Sequence, residues 1–134
     1  MNRDTQLKSI RPAIPSIVDV NASSLAESFQ NQCLRPVLKL QNSLLIRIYR
    51  QYIDKRKGVF YTLPENKQKI YLRDSLQRDL KFRNFLIGIV CGHFTLEEWE
   101  IYQSAETELR KRLLTLLVQR LESQIDLLAK PEDA

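Results

Sequence analysis

The chain has 134 residues, of which 43% are hydrophobic and 28% are charged, and its formal net charge is +5 at pH 7. This composition is typical of one globular domain with a sizeable core, and it excludes both a disordered chain and a membrane-embedded one. Only three glycines occur, and few windows alternate between apolar and polar residues, which favours helices over strands. We therefore expect an all-α bundle of four to five helices with an extended N-terminal arm.

The N-terminal segment has the weakest helical pattern. Pro12 and Pro15 each lack a backbone donor and restrict the residue before them, so we expect residues 1–23 to form an extended arm. The arm could lie across the bundle or a second subunit, and a disordered tail is an equally good interpretation. The helical-bundle domain is then residues 24–130.

A capping box marks the first helix of the domain. Ser24 and Glu27 have the spacing at which a hydroxyl and a carboxylate exchange hydrogen bonds with the backbone amides of a helix N-terminus. Helical spacing of apolar residues then continues over residues 25–57. Pro36 predicts either two segments or one bent helix there, and Gly58 predicts its end.

A second capping box, formed by Thr62 and Glu65, predicts the start of the next helix. The apolar spacing continues over residues 65–91, and the pattern leaves open whether this stretch forms one helix or two. Gly92 is suited to a left-handed residue that ends the preceding helix.

The last helix has the clearest start. Thr95 and Glu98 form a third capping box, and Phe94 with Trp99 has the spacing of a hydrophobic staple. Apolar residues at helical spacing predict one long amphipathic helix over residues 94–128.

The second half of that helix is apolar on more than one side, so it needs more than one neighbour. Either the helix is central in the bundle, or this part of it is a subunit interface. We expect a homodimer. The candidate interface residues are Leu114, Val118, Leu121, Ile125 and Leu128.

Basic residues are concentrated before Gly58, since residues 35–57 carry seven basic side chains and one acidic one. A helical arrangement places the candidate basic surface on one face, at Arg35, Lys39, Arg47 and Arg50. Such a ridge could follow a phosphate backbone, and it could equally be a solvated face or pair with the acidic last helix. Nucleic-acid association is therefore an alternative function, without a recognition motif to accompany it.

No cluster of residues points to catalysis. His93 is the only histidine, and Cys33 and Cys91 match no metal or redox spacing, so we predict no metal, no cofactor and two reduced packing cysteines. The chain also has no phosphate loop, nucleophile elbow or dinucleotide fingerprint. No signal peptide pattern or long apolar run is visible, so we expect a cytoplasmic protein without a membrane span.

Two arginines lie at predicted helix starts, where a positive charge is locally unfavourable. Arg35 and Arg83 should therefore each have a specific partner, either a carboxylate in a buried ion pair or a bound anion. If the chain is an enzyme or a small-ligand binder, its pocket is expected near Arg83, His93 and Trp99.

Three segments carry a recognisable residue pattern that spans roughly residues 28–125. Its residues are Gln30, Asn31, Gln32, Leu34, Arg35, Pro36, Val37, Leu38 and Lys39, then Lys81, Phe82, Arg83 and Asn84, then Gly92, Phe94, Thr95, Leu96, Glu97 and Glu98. The pattern resembles a family of short bacterial proteins with no assigned activity, some members of which carry the label glyoxalase. Glyoxalase I enzymes consist of paired βαβββ modules and bind metal through His and Glu side chains, whereas this chain has one histidine and no convincing strand. The resemblance therefore implies a bacterial, cytoplasmic, helical protein and no mechanism.

The function that the sequence favours is a helical protein–protein interaction or assembly module without a catalytic site. Its partner would be a second copy of the chain or another protein. Nucleic-acid association is the first alternative, and a small-ligand binder or enzyme is the second.

Overall fold

The computed structural model describes residues 2–14 and 24–131, and this part of the chain is all-α, without a β-strand. The α-helices are α1 (Arg3–Ile10), α2 (Leu25–Phe29), α3 (Arg35–Leu40), α4 (Asn42–Lys55), α5 (Glu65–Arg78), α6 (Leu80–Cys91), α7 (Leu96–Ser104) and α8 (Glu106–Ser123). A π-helical turn at Gln30–Leu34 joins α2 to α3, and short 3₁₀ segments occupy Val59–Thr62 and Ile125–Leu127. The predicted all-α class is confirmed.

The π-turn allows the chain to pass Pro36 without a break in helical direction. Pro36 lacks an amide donor, and its ring would meet the carbonyl four residues earlier in a regular α-helix. The wider turn before it avoids that clash, since the amide of Arg35 donates to the carbonyl of Gln30. The actual break comes at Gln41, with φ −88° and ψ 2°, between α3 and α4.

Helix α4 ends at Lys55, and the turn predicted at Gly58 follows it, with φ +66° at this glycine. Lys57 before it also has a positive φ, of 61°, so the chain reverses within two residues. The predicted capping box at Thr62 is wrong, because Pro64 is the N-cap of α5. The Thr62 hydroxyl instead donates to the carbonyl of Val59 at 2.7 Å and closes the 3₁₀ turn.

Asp79 divides residues 65–91 into two helices. Its backbone, with φ −85° and ψ 88°, leaves the helical region, and its side chain accepts a hydrogen bond from the Phe82 amide at 3.1 Å. The carboxylate therefore serves as the N-cap of α6. This settles the question that the apolar spacing left open.

The predicted single helix over residues 94–128 is two helices, because Ala105 has φ −139° and ψ 41°. The capping box is confirmed. The Thr95 amide donates to Glu98 Oε1 at 2.8 Å, and the Glu98 amide donates to Thr95 Oγ1 at 3.2 Å. Gly92 departs from the prediction, since its φ of −60° is right-handed.

The beginning of the chain also differs from the predicted extended arm, since residues 3–10 form α1. Asn2 caps this helix by accepting from the Thr5 amide at 2.9 Å. Two contacts hold it against the turn between α6 and α7: Arg3 donates to the Gly92 carbonyl at 3.1 Å, and Asp4 accepts from the Leu96 amide at 3.2 Å. Residues 15–23 of the predicted arm lie outside the described residues.

The core surrounds α8, whose Leu109, Leu113 and Leu117 are completely buried. A cluster of rings fills the space between α4, α5 and α6. Tyr49 lies at its centre, with ring centroids 6.0 Å from those of both Phe60 and Phe82. These ring contacts fix how α4 and α6 lie relative to each other.

Candidate functional site

A stacked aromatic pair forms the floor of a groove between α4 and α6, here called the α4/α6 groove. The ring centroids of Tyr52 and Phe82 are 4.0 Å apart, with an interplanar angle of 29°. The guanidinium of Arg56 covers the Tyr52 ring, with its central carbon 3.5 Å from the centroid. Since a cation is attracted to the face of an aromatic ring, the last turn of α4 is held over this floor.

Asp79 connects the floor to the start of α6. Its Oδ2 atom accepts hydrogen bonds from the Tyr52 hydroxyl at 3.1 Å and from Arg56 Nη2 at 3.0 Å, while Oδ1 accepts from the Phe82 amide. The bond from the Phe82 amide is the largest influence that lowers the pKa of Asp79, and it outweighs the opposing effect of burial. Asp79 is therefore an ionised carboxylate whose oxygens are committed to the protein.

The chemistry of the floor favours binding over catalysis. Burial raises the pKa of Tyr52 to about 12, and the hydrogen bond to Asp79 adds to this effect. A tyrosine that keeps its proton at neutral pH is a hydrogen-bond donor and a poor general base. Asp79 is equally unsuited to take up a proton, since its pKa is lowered.

The α4/α6 groove contains a cavity of about 390 Å³. Ile48 and Phe85 form its apolar walls, and Phe85 is 51% exposed. Ligand sites in proteins commonly have volumes of about 300–1,000 Å³. The rim carries Lys55 and Lys81, which make no hydrogen bond or ion pair with any residue in the described part of the chain. The cavity thus places an apolar surface beside two uncompensated cations.

Apolar side chains continue along α4 and α6 beyond this cavity. Leu44, which is 46% exposed, precedes Ile48 by one turn on α4, and Tyr52 follows Ile48 by one turn. On α6, Phe85 and Ile89 are related in the same way. Because residues four apart lie on one face of a helix, each helix contributes an apolar stripe. The apolar stripe of α4 from Leu44 to Tyr52 is about 12 Å long.

The structure does not combine the four predicted basic residues into one free ridge. Lys39 donates to a carbonyl of the N-terminal segment at 3.3 Å, and Arg50 donates to two carbonyls that follow α8. Arg47 lies beside Arg50 in a small cavity, whereas Arg35 lies apart from them, in a cleft against α8. Backbone carbonyls therefore already accept hydrogen bonds from Lys39 and Arg50, two of the side chains that could have contacted phosphates.

Three of the five predicted interface residues on and just after α8 belong to the core of the protomer. Leu121, Ile125 and Leu128 are 1%, 6% and 0% exposed, and Leu114 and Val118 are half-buried against the same core. The sequence left two explanations for the second apolar side of α8, a subunit interface or a central position, and the burial of these residues favours the second. The helix is central in the bundle.

Arg83, His93 and Trp99 line none of the four cavities described here in residues 2–14 and 24–131. Arg83 lies in the first turn of α6 and His93 just beyond its C-terminal end, so about 15 Å of helix separates them. The carbonyl of His93 accepts from Arg11 Nη2 at 2.7 Å, and the Trp99 ring stacks on Tyr102 at 5.9 Å.

The predicted hydrophobic staple pairs Phe94 with Trp99, whereas the ring contacts of Phe94 among the described residues are with Phe29 and Tyr102. The Phe94 ring packs edge-on against Phe29, with centroids 5.5 Å apart, and lies 5.6 Å from the ring of Tyr102. Phe94 is 2% exposed, so it is a core residue that anchors the start of α7.

The α4/α6 groove was missed in the sequence because its residues have the spacing of ordinary core positions. Ile48, Tyr52 and Phe82 continue buried stripes, and nothing in that pattern distinguishes them from their neighbours. The one residue that could have indicated the groove was Phe85, which lies at the edge of the apolar face of α6 and close to Lys81 in the chain.

Neither a scan against protein-family models nor searches of curated proteins and of solved structures found a match to this chain. Within residues 2–14 and 24–131, no helix has the length and apolarity needed to cross a membrane. In the same residues, no three side chains of His, Cys, Asp or Glu come together as metal ligands would.

Proposed function

We propose that the protein is an interaction module that binds an acidic, amphipathic helix of a partner protein in the α4/α6 groove. One observation carries the proposal: the exposed ring of Phe85 borders an aromatic floor whose rim presents Lys55 and Lys81 without partners among the described residues. The proposal retains the interaction function favoured by the sequence and moves it to another surface.

The apolar contribution comes from Phe85 and the floor beside it. Complete burial of a phenylalanine side chain contributes about 1.5–3 kcal/mol, so covering its exposed half would contribute about 1 kcal/mol. Single exposed apolar residues are common on protein surfaces and need no explanation. Phe85 differs because it borders a cavity of about 390 Å³ that a partner side chain could fill.

The charge of the rim determines the kind of partner. Lys55, Arg56 and Lys81 line the cavity together with one acidic residue, Asp79, whose carboxylate is already bonded to Arg56 and Tyr52. A neutral or basic segment would bury the two lysines without compensation, which is costly. Aspartate and glutamate side chains on the partner would pair with them and favour correct encounter.

The shape of the groove favours a helix as the bound element. Two helices flank it, and each contributes apolar residues at a spacing of three or four. An amphipathic helix presents anchors at the same spacing, so its apolar face matches such a groove. The apolar stripe of about 12 Å on α4 corresponds to about two turns of a bound helix.

The other functions weighed from the sequence have less support. A homodimer through α8 would have to use Leu114, Val118 and the 53%-exposed Leu127, which leaves little of the predicted interface. Nucleic-acid binding by the ridge would compete with the carbonyls that Lys39 and Arg50 already contact. We also place the proposed interaction in the bacterial cytoplasm, where the free thiols of Cys33 and Cys91 would stay reduced.

Selection from a displayed library of helical peptides tests the proposal with the purified protein. We expect the selected peptides to combine an apolar stripe with Asp or Glu beside it. The double variant Lys55→Glu with Lys81→Glu should reject these peptides and select basic ones, because the rim is then negative. The matched control is Lys67→Glu with Lys69→Glu on α5, which should select the same peptides as the wild type.

Two results would contradict the proposal. One is selection of neutral or basic peptides by the wild-type protein. The other is an unchanged preference after charge reversal at Lys55 and Lys81, which would place the binding surface elsewhere.

A further inference from the structure

We propose that a second cleft, between the start of α3 and the C-terminal half of α8, binds the phosphate group of a small molecule through Arg35 and Arg120. The cleft has a volume of about 270 Å³. Its lining combines these two arginines with Gln119, Ser123 and Gln124, above two leucines. It lies apart from the α4/α6 groove and shares no lining residue with it.

Neither arginine has partners for all its donors within the described residues. The guanidinium of Arg35 makes no hydrogen bond or ion pair there. Arg120 donates to Asn42 Oδ1 over a long 3.4 Å, and that oxygen already accepts from Gln124 Nε2 at 2.7 Å. A guanidinium has five N–H donors, so both side chains keep most of their donors for a ligand.

The positive charges of Arg35 and Arg120 lie close together. Burial lowers the pKa of Arg120, and the charge of Arg35 lowers it further. The two side chains still remain protonated at neutral pH, since arginine is not deprotonated in proteins. An anion placed between them would replace this repulsion by two attractive contacts.

No carboxylate among the described residues serves as a counter-ion for Arg35 and Arg120. Glu122 is one helical face away on α8 and accepts from Arg73 at 2.9 and 3.0 Å. Glu108 lies three turns earlier and pairs with Arg112 at 3.4 Å. The lining of the cleft itself contains no acidic residue. The chain thus builds a cationic site and leaves it without an internal counter-ion among the described residues.

Guanidinium groups in this cleft indicate that the bound anion is a phosphate. The planar guanidinium offers two parallel donors that match two oxygens of a phosphate, and two arginines can grip one phosphate group from two sides. The amide of Gln119 supplies a further donor at the rim. A phosphate monoester fits these donors better than a single carboxylate, which has only two oxygens.

An adjoining cavity gives the rest of the molecule a place. This cavity, of about 520 Å³, shares Arg35, Leu116 and Gln119 with the first and continues along α8 to Lys111, Arg112 and Glu108, whose carboxylate pairs with Arg112. A molecule with its phosphate at Arg35 and Arg120 would extend in this direction. A second negative group on it could reach Lys111, which makes no ion pair with the described residues.

Thermal unfolding with added ions provides the first test, with inorganic phosphate and pyrophosphate as probes and sodium chloride at matched ionic strength as reference. We expect both probes to raise the Tm of the wild type above that in sodium chloride, and to raise it further as their concentration increases, because they bind only the folded state. The variants Arg35→Gln and Arg120→Gln should lose this increase. Arg78→Gln, at a side chain that is 82% exposed on α5, should keep it.

The same variants separate a binding role from a structural one. Without phosphate, Arg35→Gln should unfold at the wild-type Tm or above it, since removal of one charge relieves the repulsion. An arginine that stabilises the fold would instead lower the Tm when removed. A lower Tm for Arg35→Gln without phosphate would overturn the proposal.

NMR titration locates the bound ion. Pyrophosphate should shift the side-chain signals of Arg35, Arg120 and Gln119, with Kd at least about tenfold weaker in either arginine variant. An equal effect of phosphate and chloride on the wild type, or shifts confined to Lys39 and Arg47, would overturn the proposal. Either outcome leaves the α4/α6 groove untested and unaffected.

Discussion

The guanidinium of Arg11 and the carboxylate of Glu98 form a two-pronged ion pair, with both N–O distances at 2.6 Å, between residues 87 positions apart. The same carboxylate accepts from the Thr95 amide at the start of α7. Burial alone would raise the pKa of Glu98, but the bonds from Arg11 and Thr95 outweigh it and lower the pKa. One ionised side chain therefore caps a helix and attaches the N-terminal segment to the bundle.

Arg11→Ala should destabilise the protein strongly. The side chains of the pair are only 8% and 11% exposed, so removal of Arg11 leaves a buried, uncompensated carboxylate. We expect a loss of about 3–5 kcal/mol in the free energy of unfolding. Urea unfolding at neutral pH measures it.

Arg3→Ala is the matched control for Arg11→Ala. Arg3 pairs with Asp4 at 3.2 Å and donates to the Gly92 carbonyl at 3.1 Å, both in exposed positions, so its removal should cost about 1 kcal/mol. Similar losses for the two variants would contradict a special role of the Arg11–Glu98 pair.

Stability should depend on pH through His93, the only histidine of the chain. Burial lowers its pKa below the ordinary 6.5, and the charges of Arg11 and Arg3 lower it further. The unfolded chain therefore binds the proton more tightly than the folded one. The contribution of neutral His93 is fully present above pH 6.5 and is lost as the pH falls from there through the folded-state pKa.

The variant His93→Gln isolates this effect. Its free energy of unfolding should change less than that of the wild type between about pH 6.5 and pH 5. Glu98 and Asp79 have lowered pKa values, so their contributions are lost at lower pH in both proteins. Parallel pH profiles for the two proteins over this interval would contradict the prediction.

Two glycine substitutions should have opposite effects. Gly58 has φ +66°, and an added Cβ would lie 3.0 Å from the Tyr61 ring, so Gly58→Ala should cost about 1–2 kcal/mol. Gly88 lies within α6, where a Cβ would meet open space, and Gly88→Ala should stabilise by up to about 1 kcal/mol. Chemical denaturation of both variants measures the difference. A stabilising Gly58→Ala would contradict the turn geometry.

Phe85→Ser should separate binding from folding. Phe85 is half-exposed, so its removal should change the free energy of unfolding by no more than about 0.5 kcal/mol and yet weaken peptide binding in the α4/α6 groove about fivefold, the equivalent of about 1 kcal/mol. Phe60→Ala, at a fully buried ring, should cost about 3–5 kcal/mol. If Phe85→Ser unfolded as readily as Phe60→Ala, Phe85 would be a core residue and the groove argument would fail.

The helical class and the capping box at Thr95 could be predicted because both depend on residues close together in the chain. The break at Ala105 could not, since alanine has high helix propensity and the apolar spacing continues on both sides of it. Tertiary packing overrides local preference there. The same holds for Gly92, whose sequence position suits a left-handed residue while its actual φ is −60°.

The sites were harder to predict than the helices, because they depend on which faces the bundle covers. Leu121 and Phe85 are both apolar residues on helices, yet one is 1% and the other 51% exposed. Arg35 was recognised as a residue in need of a partner, but Arg120, on a distant helix, gave no signal of its own. Residues far apart in the chain become neighbours only through the packing, which spacing alone does not determine.

Photo-crosslinking in cells from position 85 tests the α4/α6 groove most directly. A photoreactive phenylalanine derivative would replace Phe85 in one variant and Ile70, which is 51% exposed on α5, in the control. We predict a crosslink from position 85 alone, to an acidic amphipathic helical segment of another protein. Lys55→Glu with Lys81→Glu should weaken binding of the purified segment by at least about tenfold. Equal crosslinking from both positions, crosslinks only to a second copy of the chain, or a segment without acidic residues would contradict the account.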